Sequence, residues 1–318
     1  MTTVLLIIGV VAEAQQAPKI PRIGYLGTTS PSTSLGRVEA FRQGLRELGY
    51  VAGENIIIEY RYAEGRVERL PTLAAQLTRL KLDVIVTGGP EPTRAAKQAT
   101  STIPIIMAQD TDPVGNGFVA SLARPGGNIT GLSALSPEIS GKQLELLTEI
   151  VPKLSRLAVL WASNNPGIAP SLRELERASG ALEVKLQFLE IMSREHIESA
   201  FRRARDERAN AVLVLTSGVA AANRKEIAGF AVKSRLPAIY PRREYVEDGG
   251  LTSYGASFTE MNRRAATYVD KILKGYKPAD LPVEQPIKFE FIINLKAAKQ
   301  IHLTIPPNVL ARADRVIK

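Results

Sequence analysis

Short apolar runs alternate with helical patterns along almost the whole chain. Residues 23–26, 56–60, 84–86 and 104–107 are largely continuous apolar stretches, the pattern of strands covered on both faces. Between them, residues 35–48 place Val38, Phe41, Leu45 and Leu48 on one helical face, with Gly49 as a stop. Residues 66–80 do the same with Leu70, Leu73, Leu77 and Leu80, and 91–100 predict a third helix. Strands alternating with helices of this length predict βαβ units around a parallel sheet.

The same order then recurs. Strands are predicted at 157–161, 184–189, 211–215 and 237–240, with helices at 171–179, 194–208 and 221–235. Pro21-Arg22-Ile23 corresponds to Ser155-Arg156-Leu157, Thr87-Gly88-Gly89 to Thr216-Ser217-Gly218, and Ile103-Pro104-Ile105 to Leu236-Pro237-Ala238. The offset stays near roughly 130 positions, far too long for a solenoid and suited to two similar lobes. The lobes are expected to join near 132–141, with a second crossing after Gly249-Gly250 and a helix over 259–274 returning to the first lobe. The Pro-rich stretch 278–286 reads as a linker or surface strap, and 288–293, 295–300 and 307–317 complete the chain. The predicted fold is therefore α/β: two doubly wound parallel-sheet lobes with a hinge and a cleft between them. The first lobe takes 18–133 plus 255–286, and the second 134–254 plus 287–318.

Open parallel sheets bind ligands outside the carboxyl ends of their strands, which directs attention to the strand-end loops. Gly88-Gly89 precedes a helix. It is either a plain βα turn or a place where backbone N–H groups meet a ligand carboxylate. Thr28, Thr29 and Ser30 offer hydroxyls for a ligand or for capping the next helix. Asp110 and Asp112 could pair with an ammonium group, although Asp112-Pro113 also reads as a turn initiator. Asn164 and Asn165 could hydrogen-bond a ligand or tolerate left-handed turn geometry. Arg242 and Arg243 could clamp a carboxylate, whereas exposed rim charges are the commoner placement.

Residues 4–12 form an apolar run too short to span a bilayer, which takes about 20 residues. With Ala12-Glu13-Ala14 behind it, the run reads as a secretory signal peptide over 1–14, although no Lys or Arg precedes it. A buried first strand is the alternative. The chain of 318 residues suits two lobes better than one core. It has no Cys, which excludes thiolate metal sites and thiol nucleophiles. Its two histidines argue against a multi-histidine metal centre. His196 reads as a surface residue, and His302 as packed beside Ile301 and Leu303. The net charge of +9 is spread over helices beside Glu rather than gathered on one face, so no nucleic-acid partner is expected. No dinucleotide fingerprint, P-loop or nucleophile elbow is present, so no catalytic residue, cofactor or metal is expected.

Residues 111–133, TDPVGNGFVASLARPGGNITGLS, closely resemble the hallmark segment of the ABC-transporter substrate-binding proteins of the tryptophan/tyrosine type. The ending NLKAAKQIHLTIPPNVLARADRVI (294–317) and the opening RIGYLGTTSP (22–31) are similar to that family's as well. The resemblance implies a type I periplasmic-binding-protein fold and a periplasmic monomer. Such a protein carries a small solute, such as an aromatic or other amino acid, to the membrane subunits of an ABC permease. Carried over by segment, the cleft would be lined by Thr28, Thr29, Gly88, Gly89, Asp110, Thr111, Asn164, Thr216 and Ser217. The chain departs from the family pattern at Glu91, where a small residue is expected, and at His302, where glycine is usual. Two other classes compete. One is an enzyme on a doubly wound fold acting on a nucleotide or sugar, which would need a nucleophile–base pair. The other is a ligand-sensing repressor, which would need an N-terminal DNA-binding helix pair where this chain has an apolar run.

Overall fold

The computed structural model describes residues 20–286 and 288–318. The expected signal peptide lies outside the described residues. Strand β1 (Arg22–Gly27) enters helix α1 (Pro31–Glu47), whose first turn is capped by the Ser30 side chain accepting the Thr33 N–H. Then follow β2 (Ile57–Tyr62), α2 (Leu70–Thr78), β3 (Val84–Thr87), α3 (Pro90–Ala99), β4 (Ile105–Asp110) and β5 (Ile129–Ser133). These strands form one five-stranded parallel sheet in the order β2-β1-β3-β4-β5.

Helix α4 (Ser136–Ile150) opens the second lobe. After it come β6 (Arg156–Trp161), α5 (Ile168–Ala181), β7 (Lys185–Glu190), α6 (Glu195–Asp206) and β8 (Ala211–Val214). The lobe continues with α7 (Gly218–Ala222), α8 (Arg224–Lys233), β9 (Ala238–Tyr240), α9 (Arg243–Glu247) and β10 (Thr252–Ala256). Strands β7-β6-β8-β9-β10 repeat the order of the first sheet, so the internal repeat is realised as topology. Helix α10 (Phe258–Leu273) then crosses back to pack on α1, where Gly44 permits the contact: a Cβ there would lie 2.3 Å from the Arg263 carbonyl oxygen. The chain returns through β11 (Phe289–Asn294), α11 (Leu295–Gln300), α12 (Pro307–Leu310) and β12 (Arg315–Ile317), with β11 antiparallel to β10.

Alternate residues of the strands feed different cores. Val84, Val86, Ile106 and Ala108 pack under α1 and α10, while Ile85, Ile105 and Met107 pack under α2 and α3. Both faces of each sheet are covered, which accounts for the unbroken apolar strand runs.

Several local features differ from expectation. Neither β5 nor β10 was expected: Thr130 and Gly131 break the apolar run of β5, and β10 lies just past Gly249-Gly250, the expected crossing. The crossing follows Ala256. The helix expected over 221–235 is two pieces that meet at Asn223. The 278–286 stretch straps the outer edge of β5, with Ser133 donating to the Glu284 carbonyl at 2.9 Å and Glu284 N–H donating to the Gly131 carbonyl at 2.9 Å. His196 is exposed as expected. His302 is exposed rather than packed. It holds a left-handed φ of 57° just past α11, the kind of position where glycine carries no steric penalty.

Among the described residues, no helix is long and apolar enough to cross a membrane.

Candidate ligand cleft between the lobes

The strand-end loops of the two lobes face each other. Thr28, Thr29, Gly88, Gly89, Asp110 and Thr111 from the first lobe meet Thr216 and Ser217 from the second around one buried cleft. Of the residues carried over by segment, Asn164 alone stays off this lining, and of the other candidates Ser30, Asp112, Asn165 and Arg243 do as well. Asn164 is half-buried, and its neighbour Asn165 reaches inward, donating from Nδ2 to the Thr216 carbonyl at 2.6 Å. Asn165 lines a second, hinge-side pocket that shares Thr111, Thr216 and Phe258 with the cleft.

The floor is fixed by a buried polar chain. Tyr25 Oη donates to Asn262 Oδ1 at 3.1 Å, Asn262 Nδ2 donates to Gln109 Oε1 at 3.0 Å, and Gln109 Nε2 donates to the Gly88 carbonyl at 3.3 Å. This ties α10 to the ends of β1, β3 and β4, so the Gly88-Gly89 turn sits on rigid elements. Gly89 has a φ of 139°, a conformation essentially reserved for glycine.

Buried ionisable groups set the electrostatics. Arg37 on α1 and Arg242 after β9 are each 5% exposed, as is Glu91 on α3, and Asp110 is 1% exposed. The Arg37 guanidinium donates to Thr29 Oγ1 at 3.2 Å. Arg242 lies 5.4 Å from the Phe258 ring centre and 5.7 Å from that of Tyr245, a cation–π arrangement on two rings. Burial lowers the Arg37 pKa, and the Arg242 charge adds to the effect. For Glu244 burial works upward, but the Arg242 and Arg37 charges outweigh it and hold the carboxyl below its ordinary value. Burial raises Glu91 above the usual carboxylate range, against the Gly218 N–H bond that pulls it down. Asp110 is pushed up to about 8, chiefly by burial. Hydrogen bonds from Asn116 and the Asp112 N–H oppose the shift, and the Glu91 charge reinforces it.

Asp110 has two distinct oxygens. Its Oδ1 accepts from Asn116 Nδ2 at 2.5 Å and from the Asp112 N–H at 3.1 Å, which holds its own loop. Its Oδ2 makes no hydrogen bond within the protein, and neither do Thr28 Oγ1, Arg37 Nε or Arg242 Nε, all buried. Buried polar atoms are ordinarily paired, so a cleft with four such atoms, two acceptors and two donors, suits a small polar solute. Asp112, by contrast, accepts the Gly115 N–H at 2.9 Å, the turn role. Ser30 caps α1.

The lining also takes in Arg37, Gln109, Gly218, Ala221 and Phe258, which were not among the candidate site residues, and Arg242, for which a carboxylate clamp and an exposed rim placement were both open, is buried in it. Arg37 had one usable signal: it lies four residues before Phe41, which places a charge on the buried stripe of α1.

Two repeated α/β lobes that enclose a polar cleft at their facing strand ends define a solute-binding architecture of the type I periplasmic-binding-protein class. The model of the ABC transporter substrate binding protein family matches residues 30–317, and the chain belongs to that family. It is similar to a tyrosine-binding protein of Clostridioides difficile (strain R20291), 26% identical over 266 residues, which covers 83% of this chain and 76% of that protein. Two solved structures are similar over 94% of this chain and 100% of theirs. One is a conserved domain protein from Vibrio cholerae, 28% identical with a TM-score of 0.88. The other is an ABC domain from Streptococcus pneumonia in complex with L-Trp, 27% identical with a TM-score of 0.87.

Proposed function

We propose that the protein is the exported solute-binding component of an ABC importer, capturing a small amino-acid-type solute between its lobes and handing it unchanged to permease subunits. The observation that carries this reading is a carboxyl and two guanidiniums with unpartnered polar atoms inside one cleft. Asp110 presents an unpartnered carboxyl oxygen, which a bound ammonium would hold ionised, and Arg37 and Arg242 present guanidiniums. An α-amino acid has the complementary ends, an ammonium and a carboxylate. The relatives described as binding tyrosine and L-Trp support the same class. Because the lining comes from both lobes, a bound solute touches both. Contacts complete only when the lobes meet shift the open–closed equilibrium toward closure. Thr28, Thr29, Gly88, Gly89, Asp110, Thr111, Thr216 and Ser217 are the proposed contacts, with Asn164 acting through its neighbour at the cleft edge. The protein acts as a monomer outside the cytoplasm, reached through the apolar segment 4–12.

A thermal-shift screen of the purified protein against amino acids and other small metabolites tests this, with mass spectrometry of the recovered solute. A raised melting temperature with an amino acid, and recovery of that amino acid unchanged, is the expected result. Conversion that tracks the protein, or stabilisation by sugars or nucleotides alone, would overturn the reading.

A further inference from the structure

Glu91 stands at the start of α3, directly after the Gly88-Gly89 turn, and its carboxylate is buried in the cleft. Its Oε1 accepts the N–H of Gly218 from the opposite lobe at 2.8 Å. Its Oε2 lies over the turn, 3.6 Å from where a Cβ on Gly89 would be. The second lobe's backbone donor at this point is therefore taken by the protein's own carboxyl group and is closed to a carboxylate on the solute.

Asp110 lines the same cleft at the end of the neighbouring strand, with Oδ2 unpartnered. The two carboxylates repel one another. The cations that face them are few. Arg94 acts on Glu91 from α3 but is exposed. Arg242 acts on Glu91 as well, yet together with Arg37 it is already engaged in holding Glu244 ionised. Two carboxyl groups thus stand together at one end of a water-poor cleft, and burial holds both toward their protonated forms in the ligand-free protein. A neutral zwitterion brings one cation to this pair, and a solute with a second basic group brings one to each carboxyl, so that both ionise.

Resting on the amino-acid reading above, we propose that Glu91 and Asp110 form an acidic end of the cleft that selects a cationic amino acid, one bearing a second basic group beside its α-ammonium. One basic group meets Asp110 Oδ2 and Thr28 Oγ1, the two unpartnered acceptors. The other meets the Glu91 carboxylate, and the solute's carboxylate faces the guanidiniums. Glu91 is thus a specificity residue, and it separates this cleft from one suited to a neutral aromatic side chain.

The test is calorimetric titration of the purified protein with L-arginine, L-lysine, L-tyrosine and L-tryptophan, repeated on Glu91→Gln. Glutamine keeps an acceptor for the Gly218 N–H and removes the charge. At least one basic amino acid is expected to bind roughly 10-fold or more tightly than either aromatic one, and Glu91→Gln is expected to shrink that ratio by a similar factor. Aromatic amino acids binding as tightly as basic ones would overturn this inference and leave the amino-acid reading standing. An unchanged ratio in Glu91→Gln would do the same. No saturation by any amino acid would overturn both. The wild-type ratio decides the matter without the variant should Glu91→Gln fail to fold.

Discussion

Gly218 in the second lobe and Thr28 in the first are in direct apposition: a Cβ on Gly218 would stand 2.4 Å from Thr28 Cγ2. The lobes can close this far only because position 218 has no side chain. In an open conformation the two residues separate, so the constraint acts on closure and not on folding.

Gly218→Ala is therefore expected to weaken solute binding while leaving the melting temperature of the ligand-free protein little changed. Overpacking of this kind costs about 1–3 kcal/mol, which corresponds to roughly 5–150-fold in affinity. Small-angle scattering should show a reduced contraction on adding ligand. Thr28→Ser in the same background removes the opposing methyl group and should recover part of the loss. Full contraction and wild-type affinity in Gly218→Ala would show that the lobes do not meet here.

Asp110 gives a pH signature. Its pKa in the folded protein, about 8, lies above its ordinary value of 3.8. Between those values the folded protein binds more protons than the unfolded chain. The group's contribution to stability is complete below about pH 4 and is lost as the pH rises through 8. Asp110→Asn lacks this titration and retains an oxygen for Asn116 and the Asp112 N–H. The melting temperature of the ligand-free wild type should therefore fall relative to Asp110→Asn as the pH rises from 4 to 9. A pH-independent difference between the two would contradict the burial assigned to this carboxyl.

Asn262 is fully buried and serves Tyr25, Gln109 and the Phe258 carbonyl at once. Asn262→Ala leaves the Tyr25 hydroxyl and Gln109 Oε1 without these partners. A stability loss on the order of 2–4 kcal/mol is expected in urea unfolding, since each buried orphan costs about 1–3 kcal/mol. A loss under about 1 kcal/mol would mean that the chain of hydrogen bonds does not hold the cleft floor.

Much of the fold was legible because parallel sheets leave a strong signature. Residues 84–86 and 104–107 are apolar without interruption, and the helices between them keep one apolar face. The strand-end residues followed from the same logic, since Thr28, Gly88 and Thr216 come just after a strand and Asp110 ends one. What stayed hidden depends on tertiary placement. Strand β5 carries Thr130 and Gly131, and it is a strand because β4 and the Glu284 strap pair with its two edges. Arg242 and Arg243 are adjacent and chemically identical, yet the first is buried against Phe258 and Tyr245 while the second donates to Thr259 Oγ1 and is half-buried. Phe258 joins the cleft only because α10 returns to the first lobe, and no local pattern encodes that contact.

The central claim is that a solute's ammonium group is read by Asp110 in a cleft shared by both lobes. Calorimetric titration of the best amino-acid ligand into wild type and Asp110→Asn tests it most directly. Losing a charge-assisted hydrogen bond costs about 1.5–3 kcal/mol. Asp110→Asn should therefore bind roughly 10–150-fold more weakly, while still unfolding in one cooperative transition. Equal affinity in a folded Asp110→Asn protein would place the binding site elsewhere and contradict the account.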